Sequence, residues 1–145
     1  MSSDADALAR RCADTMWADD KASQALDMQL LEVGAGRAVM AMVVQPHMVN
    51  GHGLCHGGYI FTLADSTFAF ACNSYDQRTV AQHCAITFVK SGKLGDRLIA
   101  RAVERTRAGR SGIYDITVTR DDGETIAEFR GHSRTIEGKV VGRRD

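Results

Sequence analysis

Gly57-Gly58-Tyr59-Ile60-Phe61-Thr62-Leu63-Ala64-Asp65-Ser66-Thr67-Phe68-Ala69-Phe70-Ala71-Cys72 is apolar on nearly every side, contains no proline and carries a single charge. Such a run reads as one long helix, from Gly57 to about Asn73, enclosed by the rest of the fold. Just before it stands Asn50-Gly51-His52-Gly53-Leu54-Cys55-His56, a loop rich in glycine and histidine. The charge, Asp65, requires an explanation, because an unpaired carboxylate among apolar groups is costly.

Working outward, Asp4 to about Trp17 is alanine-rich and free of glycine and proline, with Leu8, Cys12 and Met16 spaced to share a face. This predicts a short amphipathic helix. Residues 27–33 and 37–45 are apolar runs separated by Gly34-Ala35-Gly36, and Val39, Val43 and Val44 favour extended backbone, which predicts a hairpin ended by the loop around Pro46. After Asn73 come four extended segments, roughly 79–89, 97–107, 111–120 and 124–136. Gly92 and Gly95, then Gly109, then Asp121-Asp122-Gly123 mark the turns between them. Tyr114, Ile116 and Val118 alternate with Asp115, Thr117 and Thr119, giving one core face and one wet face, as in an antiparallel sheet. The order is one helix, two strands, one buried helix and four strands. It predicts an α+β fold in which a curved antiparallel sheet wraps a single long helix. The 145 residues are expected to form one domain, with a frayed, charge- and glycine-rich tail from about 138 to 145.

Composition narrows the partners. Lysine plus arginine equals aspartate plus glutamate at 18 each, and no long single-sign run occurs, so no nucleic-acid or anionic-membrane surface is expected. No apolar run reaches the roughly 20 residues a membrane-spanning helix needs. The four cysteines, at 12, 55, 72 and 84, show no close paired spacing, and the first residues lack a secretory pattern, which fits reduced thiols in the cytoplasm.

Asp65 has no cationic neighbour one helical turn away: positions three and four residues off are Phe61, Thr62, Phe68 and Ala69. Either it is hydrogen-bonded from elsewhere, or it is a functional carboxylate whose pKa burial raises. Gly57-Gly58 likewise has two readings. The glycines can simply allow close packing, or they can bring a substrate carbonyl to the unpaired N–H groups of a helix start, where negative charge on oxygen is stabilised. The two features stand eight residues apart, about 12 Å on one helix. A single reacting carbon cannot touch both ends, so joint action requires two antiparallel copies of this helix in a two-fold dimer. His52, Cys55 and His56 also suggest a metal site, but no Cys-x-x-Cys or His-x-x-x-His pair accompanies them. Cys55 beside His56 is a further candidate, as a nucleophilic thiol.

Asn50-Gly51-His52-Gly53-x-x-His56-Gly57-Gly58 followed by Leu63-Ala64-Asp65 resembles the motif of hotdog-fold acyl-CoA thioesterases, particularly the phenylacetyl-CoA thioesterase branch. The likeness extends through Phe68 to Ser74, Gly109 to Ile116 and Phe129 to Ser133. The resemblance implies hydrolysis of an aryl-acetyl-CoA without a cofactor, coenzyme A being part of the substrate, by a homodimer with shared sites, commonly paired into a homotetramer. By the same resemblance Asp65 would be the catalytic carboxylate and the Gly57 N–H of the other subunit would polarise the thioester. Asn50 would position water or the carbonyl, and His56 would support the loop. Lys90, Arg107 and Arg110, at strand ends, are candidates to meet the coenzyme A phosphates, or are ordinary solvated charges. Many relatives have proline after the first of these, whereas this chain reads Lys90-Ser91-Gly92. Gly58 belongs to the substrate-facing helix start, and Tyr59, Phe61, Phe68 and Met48 are candidates for an aromatic slot. The same fold also hosts acyl-CoA and aromatic-ligand binders that catalyse nothing.

Overall fold

A computed structural model describes residues 3–142. The expected helix is α3, Gly57–Cys72. Six antiparallel strands surround it: β1 Gln29–Gly34, β2 Arg37–Val43, β3 Thr79–Phe88, β4 Arg97–Ala108, β5 Ser111–Arg120 and β6 Thr125–Thr135. They form one sheet in the order β1-β2-β4-β5-β6-β3. The α+β architecture read from the sequence is therefore the observed one. Strand order could not be read in the same way, and β3 crosses to the far edge, beyond β6.

Local chemistry sets these elements. Ser3 caps α1, Asp4–Asp19, through its Oγ and the Asp6 N–H, while Asp4 and Asp6 occupy the first turn where the helix dipole favours acids. Asp6 then accepts from the Ala35 N–H and pairs with Arg37, tying the start of α1 to the β1–β2 turn. A short α2, Lys21–Ala25, was not expected; Asp20 caps it through the Ser23 N–H and hydroxyl. The Gly109-Arg110 turn joins β4 to β5 in two residues, with Gly109 at a positive φ of 60°, which glycine adopts without strain.

The inner sheet face presents Met40 and Met42, Leu98 and Ala100, Tyr114, Ile116 and Val118, and Phe129, all buried against α3. The alternation predicted for 114–119 holds, with residues 112, 114, 116 and 118 inward. Phe68 of α3 packs on Tyr114 and Phe129, with ring centroids at 5.6 and 5.9 Å. This approach needs a glycine opposite, since a Cβ at Gly131 would lie 2.7 Å from the Phe68 ring. Two staples fix the far end of α3. Asn73 exchanges hydrogen bonds with the Thr79 backbone at the start of β3, and Ser74 accepts from the Gly36 N–H. On one flank, Ser66 bonds Ser23 at 2.8 Å and Trp17 lies against Phe70.

Two expectations change. The helix is not enclosed all round: Gly58 is exposed and Phe61, Thr62, Asp65 and Ala69 are half-buried, leaving one face open between α1 and β3. The part of the predicted tail that is described is not frayed. Asp76 accepts from the N–H groups of Val140, Val141 and Gly142, at 3.0, 2.7 and 3.2 Å; residues 143–145 lie outside the described residues. The sequence offered no local sign of this partner 64 positions away.

Gly131→Ala tests the central packing. Forcing a methyl against Phe68 is expected to cost about 1–3 kcal/mol, seen as a lower urea midpoint at unchanged slope.

Candidate active site

His56 is the N-cap of α3. Its backbone is extended and its Nδ1 accepts from the Gly58 N–H at 3.1 Å, so its proton sits on Nε2. Upstream, Asn50 closes the loop on itself, its Oδ1 accepting from the N–H groups of His52 and Leu54 at 2.9 and 3.2 Å. The loop is pinned below by His56 N–H to Met48 O and Cys55 N–H to Gly92 O, each 2.7 Å. With Gly58 committed to His56, the Gly57 N–H is left without an acceptor among the described residues. Gly57 itself is partly exposed and lies beside Phe88, whose ring would be 2.9 Å from a Cβ at this position. A vacant helix-start donor next to glycine is a place where a carbonyl oxygen can be bound and polarised.

Asp65 sits two turns further along, on the open face. Among the described residues no hydrogen bond or ion pair reaches its carboxylate, and burial alone pushes its pKa above the ordinary aspartate range. The possibility of a local partner is thus not realised within one protomer. Its charge is felt on the neighbouring strand: burial first, and then Asp65, raise the Cys84 thiol on β3.

Gly57 and Asp65 remain about 12 Å apart along α3. One chain therefore holds a carbonyl-binding donor and a bare carboxylate at a distance that keeps them from acting on one atom.

The other sequence candidates divide. Phe68 is 1% exposed and Met48 fully buried, so both are core residues rather than slot residues. An aromatic or methionine in an apolar run does not reveal by type which way it faces. Tyr59 is half-buried, edge-on to the rings of His47 and His56, and Phe61 is half-buried against Phe129. Cys55 does not have the properties of a nucleophile: burial pushes its thiol up to about 11, and its Sγ lies against the His56 carbonyl rather than the ring. Among the described residues, no group of three or more His, Cys, Asp or Glu side chains converges as a metal-ligand set.

The three cations do not form one cluster. Lys90 lies at the Phe88 end of the sheet, its N–H bonded to Ile126 O and its ammonium paired with Glu124 at 2.8 Å. Arg107 lies at the opposite end, in register with Gly112, which faces Ser133, and Arg110 stands in the β4–β5 turn at that same end. Ile126 and Ser133 are seven steps apart along β6, about 23 Å at 3.3 Å per residue. Arg107 is further engaged, stacked 3.5 Å over the Tyr75 ring and paired with Glu104. Phe88, which shields the helix start, was not singled out from the sequence. Its place as the last aromatic of the strand that follows α3 was the only signal in the sequence, since the edge position of β3 is set by the fold.

The His56 cap is open to test. His56→Ala is expected to cost about 1 kcal/mol in chemical denaturation, as loss of a helix cap does, while His56→Asp, which keeps an acceptor for the Gly58 N–H, should recover most of it.

The chain is 41% identical over 130 residues to the acyl-coenzyme A thioesterase PaaI of Escherichia coli K12, spanning 90% of this chain and 93% of that one. It matches the solved structure of the E. coli PaaI protein from the phenylacetic acid degradation operon with a TM-score of 0.91 at 40% identity, over 92% of this chain and 97% of that one. The phenylacetic acid degradation protein PaaI of Thermus thermophilus, solved as a point mutant, matches with a TM-score of 0.78 at 33% identity, over 81% and 100%. A Streptococcus mutans UA159 protein solved with acetyl CoA bound matches with a TM-score of 0.73 at 28% identity, over 77% and 90%. The family model of the thioesterase superfamily matches residues 52–127. The chain therefore belongs to the thioesterase superfamily and has the hotdog fold.

Proposed function

We propose that this protein hydrolyses acyl-CoA thioesters, with an aryl-acetyl group such as phenylacetyl or a ring-hydroxylated phenylacetyl as the acyl part, yielding the free acid and coenzyme A. The observation that carries this reading is the pairing of a vacant Gly57 N–H at the start of α3 with an unpartnered, desolvated Asp65 on the open face of the same helix. The PaaI relatives named above supply the substrate class.

Because one helix separates the two groups by about 12 Å, the working unit is a two-fold dimer in which antiparallel helices bring each Gly57 beside Asp65 of the partner subunit. The edge strand supports this. Val80, Phe88 and Val89 on or beside β3 are 45, 49 and 53% exposed, and an apolar unpaired edge is a surface that proteins cover. Pairing across β3 also brings the Lys90 end of one subunit to the Arg107 and Arg110 end of the other, so cations that one chain holds far apart flank one coenzyme A path. Two such dimers form the homotetramer, and the four unpaired thiols accord with the cytoplasm.

In this site the thioester oxygen accepts from the Gly57 N–H, which stabilises the oxyanion as the carbonyl carbon becomes tetrahedral. Asp65 acts from the opposite face, either by taking a proton from water as it attacks or by attacking the carbon itself. In either case the C–S bond breaks and the thiolate of coenzyme A leaves with the electron pair and takes up a proton; on the first route the water oxygen becomes the new oxygen of the acid, and on the second the mixed anhydride formed between Asp65 and the acyl group is cleaved by water, which releases the acid and restores the carboxylate. Asn50 keeps the loop rigid and His56 fixes the orientation of the donor by holding Gly58.

Asp65→Asn is expected to lower thiol release from phenylacetyl-CoA by orders of magnitude while binding of the CoA ester persists. Retention of the rate overturns the assignment, and ester binding without turnover by the native protein indicates a binding module instead. Catalysis needs the ionised carboxylate, so kcat/KM should fall as pH drops through the raised Asp65 pKa, and that acid limb should be absent from the variant. Stability moves oppositely. A carboxyl pKa raised by folding means that the charge costs stability above that pKa. Asp65→Asn should therefore melt higher than the native protein at neutral pH, with the gap closing as pH falls through the folded-state pKa.

A further inference from the structure

Three contacts tie positions on α3 to positions on β3. At one end, Gly57 lies against the Phe88 ring, which would be 2.9 Å from a Cβ there. In the middle, Phe61 packs on Phe129 with ring centroids 5.2 Å apart, and Phe129 stands in register with Ile86. Further along, the Asp65 charge reaches the Cys84 thiol. Gly57 to Asp65 is eight steps of helix and Phe88 to Cys84 is four steps of strand, about 12 and 13 Å. The two elements therefore run antiparallel and level over this stretch, and a position on one can be converted into a position on the other. Cys84, Ile86 and Phe88 face inward, the first two against the core and the third against the start of α3, while Ala85 and Thr87 line a hollow on the outer face beside Asp115 and Arg130. Although its ring touches Gly57, Phe88 remains 49% exposed, and β3 is an edge strand.

The proposed dimer sets Gly57 beside Asp65 of the partner subunit, so its two-fold axis passes level with Phe61, midway between them. On β3 that level is Ile86. We infer that the two β3 strands pair antiparallel about Ile86, with Cys84 opposite the partner's Phe88, and that this ring is the wall that keeps bulk water from the thioester oxygen at each site. The inference rests on the shared thioesterase site proposed above and adds Cys84 and Phe88 to it. Side chains directly opposed in an antiparallel pair have Cβ atoms about 4.5–5.5 Å apart, and Cys84, with a single heavy atom beyond Cβ, leaves room for the ring. Each Phe88 then abuts the helix start of its own chain on one side and meets Cys84, next to Asp65, of the partner subunit on the other. A hydrogen bond to an oxyanion is stronger where water is excluded, which gives the ring its effect on the rate. The strand is shaped for a short pairing of this kind: its register shifts between Ala81 and His83, just beyond the stretch from Cys84 to Phe88, and a bulge ends strand pairing.

Phe88→Cys tests the register. With oxidised glutathione, the introduced thiol and Cys84 of the partner subunit should together lose two protons and two electrons to the glutathione disulfide and join, so that the chain runs as a covalent dimer on a gel without reductant. Phe88→Cys combined with Cys84→Ala should run as a single chain. Ile86→Cys, on the axis, should link to its own copy and decides the register if Phe88→Cys does not fold. A protein that is dimeric in solution yet links at neither position overturns the register. Phe88→Ala tests the wall. With the dimer confirmed by sedimentation at the assay concentration, kcat for phenylacetyl-CoA should fall by about tenfold, short of the roughly hundredfold or more that outright loss of an oxyanion donor costs. KM should change little, and Phe88→Leu, which keeps apolar bulk, should recover most of the rate. An unchanged kcat in dimeric Phe88→Ala overturns the wall and leaves the register standing. If the native protein releases no thiol from phenylacetyl-CoA, the thioesterase reading fails and the role of the ring with it, while the cross-link still decides how the strands pair.

Discussion

A helix with apolar side chains on nearly all faces must be enclosed, and a single curved sheet can enclose only part of it. Everything else in this molecule follows from how α3 is covered. The inner sheet face takes Phe68, Leu63 and their neighbours, with Gly131 omitting a side chain so that the Phe68 ring can approach the strands. Helices α1 and α2 take a second flank through Trp17 and the Ser23–Ser66 hydrogen bond. The remaining face, from Gly58 to Ala69, is left half-covered, and the one charge of the helix stands there. A carboxylate could not be placed on the enclosed side without a partner, and among the described residues no partner is built for it.

The same constraint joins stability to the proposed chemistry. The staples that hold α3 in the sheet act on its ends: Asn73 and Ser74 at the C-terminus, His56 at the N-terminus. They fix the helix along its axis, and with it the position of the Gly57 N–H. The cap is local and occupies the Gly58 donor, leaving the adjacent donor for an oxygen from outside. The open face and apolar β3 edge are unfavourable in an isolated protomer. In the proposed dimer they become the walls of a site, and the desolvated Asp65, unfavourable for folding, becomes useful as a base or nucleophile.

Much of this was legible beforehand. Alternation at Tyr114, Ile116 and Val118 identified an inward strand face, and glycines with positive φ marked the turns, because both signals depend on neighbouring residues alone. Asp65 stood out because a charge in an apolar run has few simple explanations, and Gly57 because paired glycines are poor helix formers. Phe68 and Met48, candidates for a slot, lie in the core of the protomer, and apolar character tells that a side chain is buried but not whether against the core or against a ligand. Lys90 was grouped with Arg107 and Arg110 because each ends a strand; only the register shows that these are opposite ends.

Residue order alone sets the elements, the alternation of their faces and the two chemical groups on α3 that stand too far apart to act together, since all of these follow from residue type and fixed helix and strand geometry. Which face of α3 stays open, the crossing of β3 to the exposed edge, the separation of the cations and the capture of residues 140–142 by Asp76 emerge only when the chain is folded. These depend on contacts between segments dozens of residues apart, and no local pattern encodes which distant groups will meet when the sheet closes around the helix.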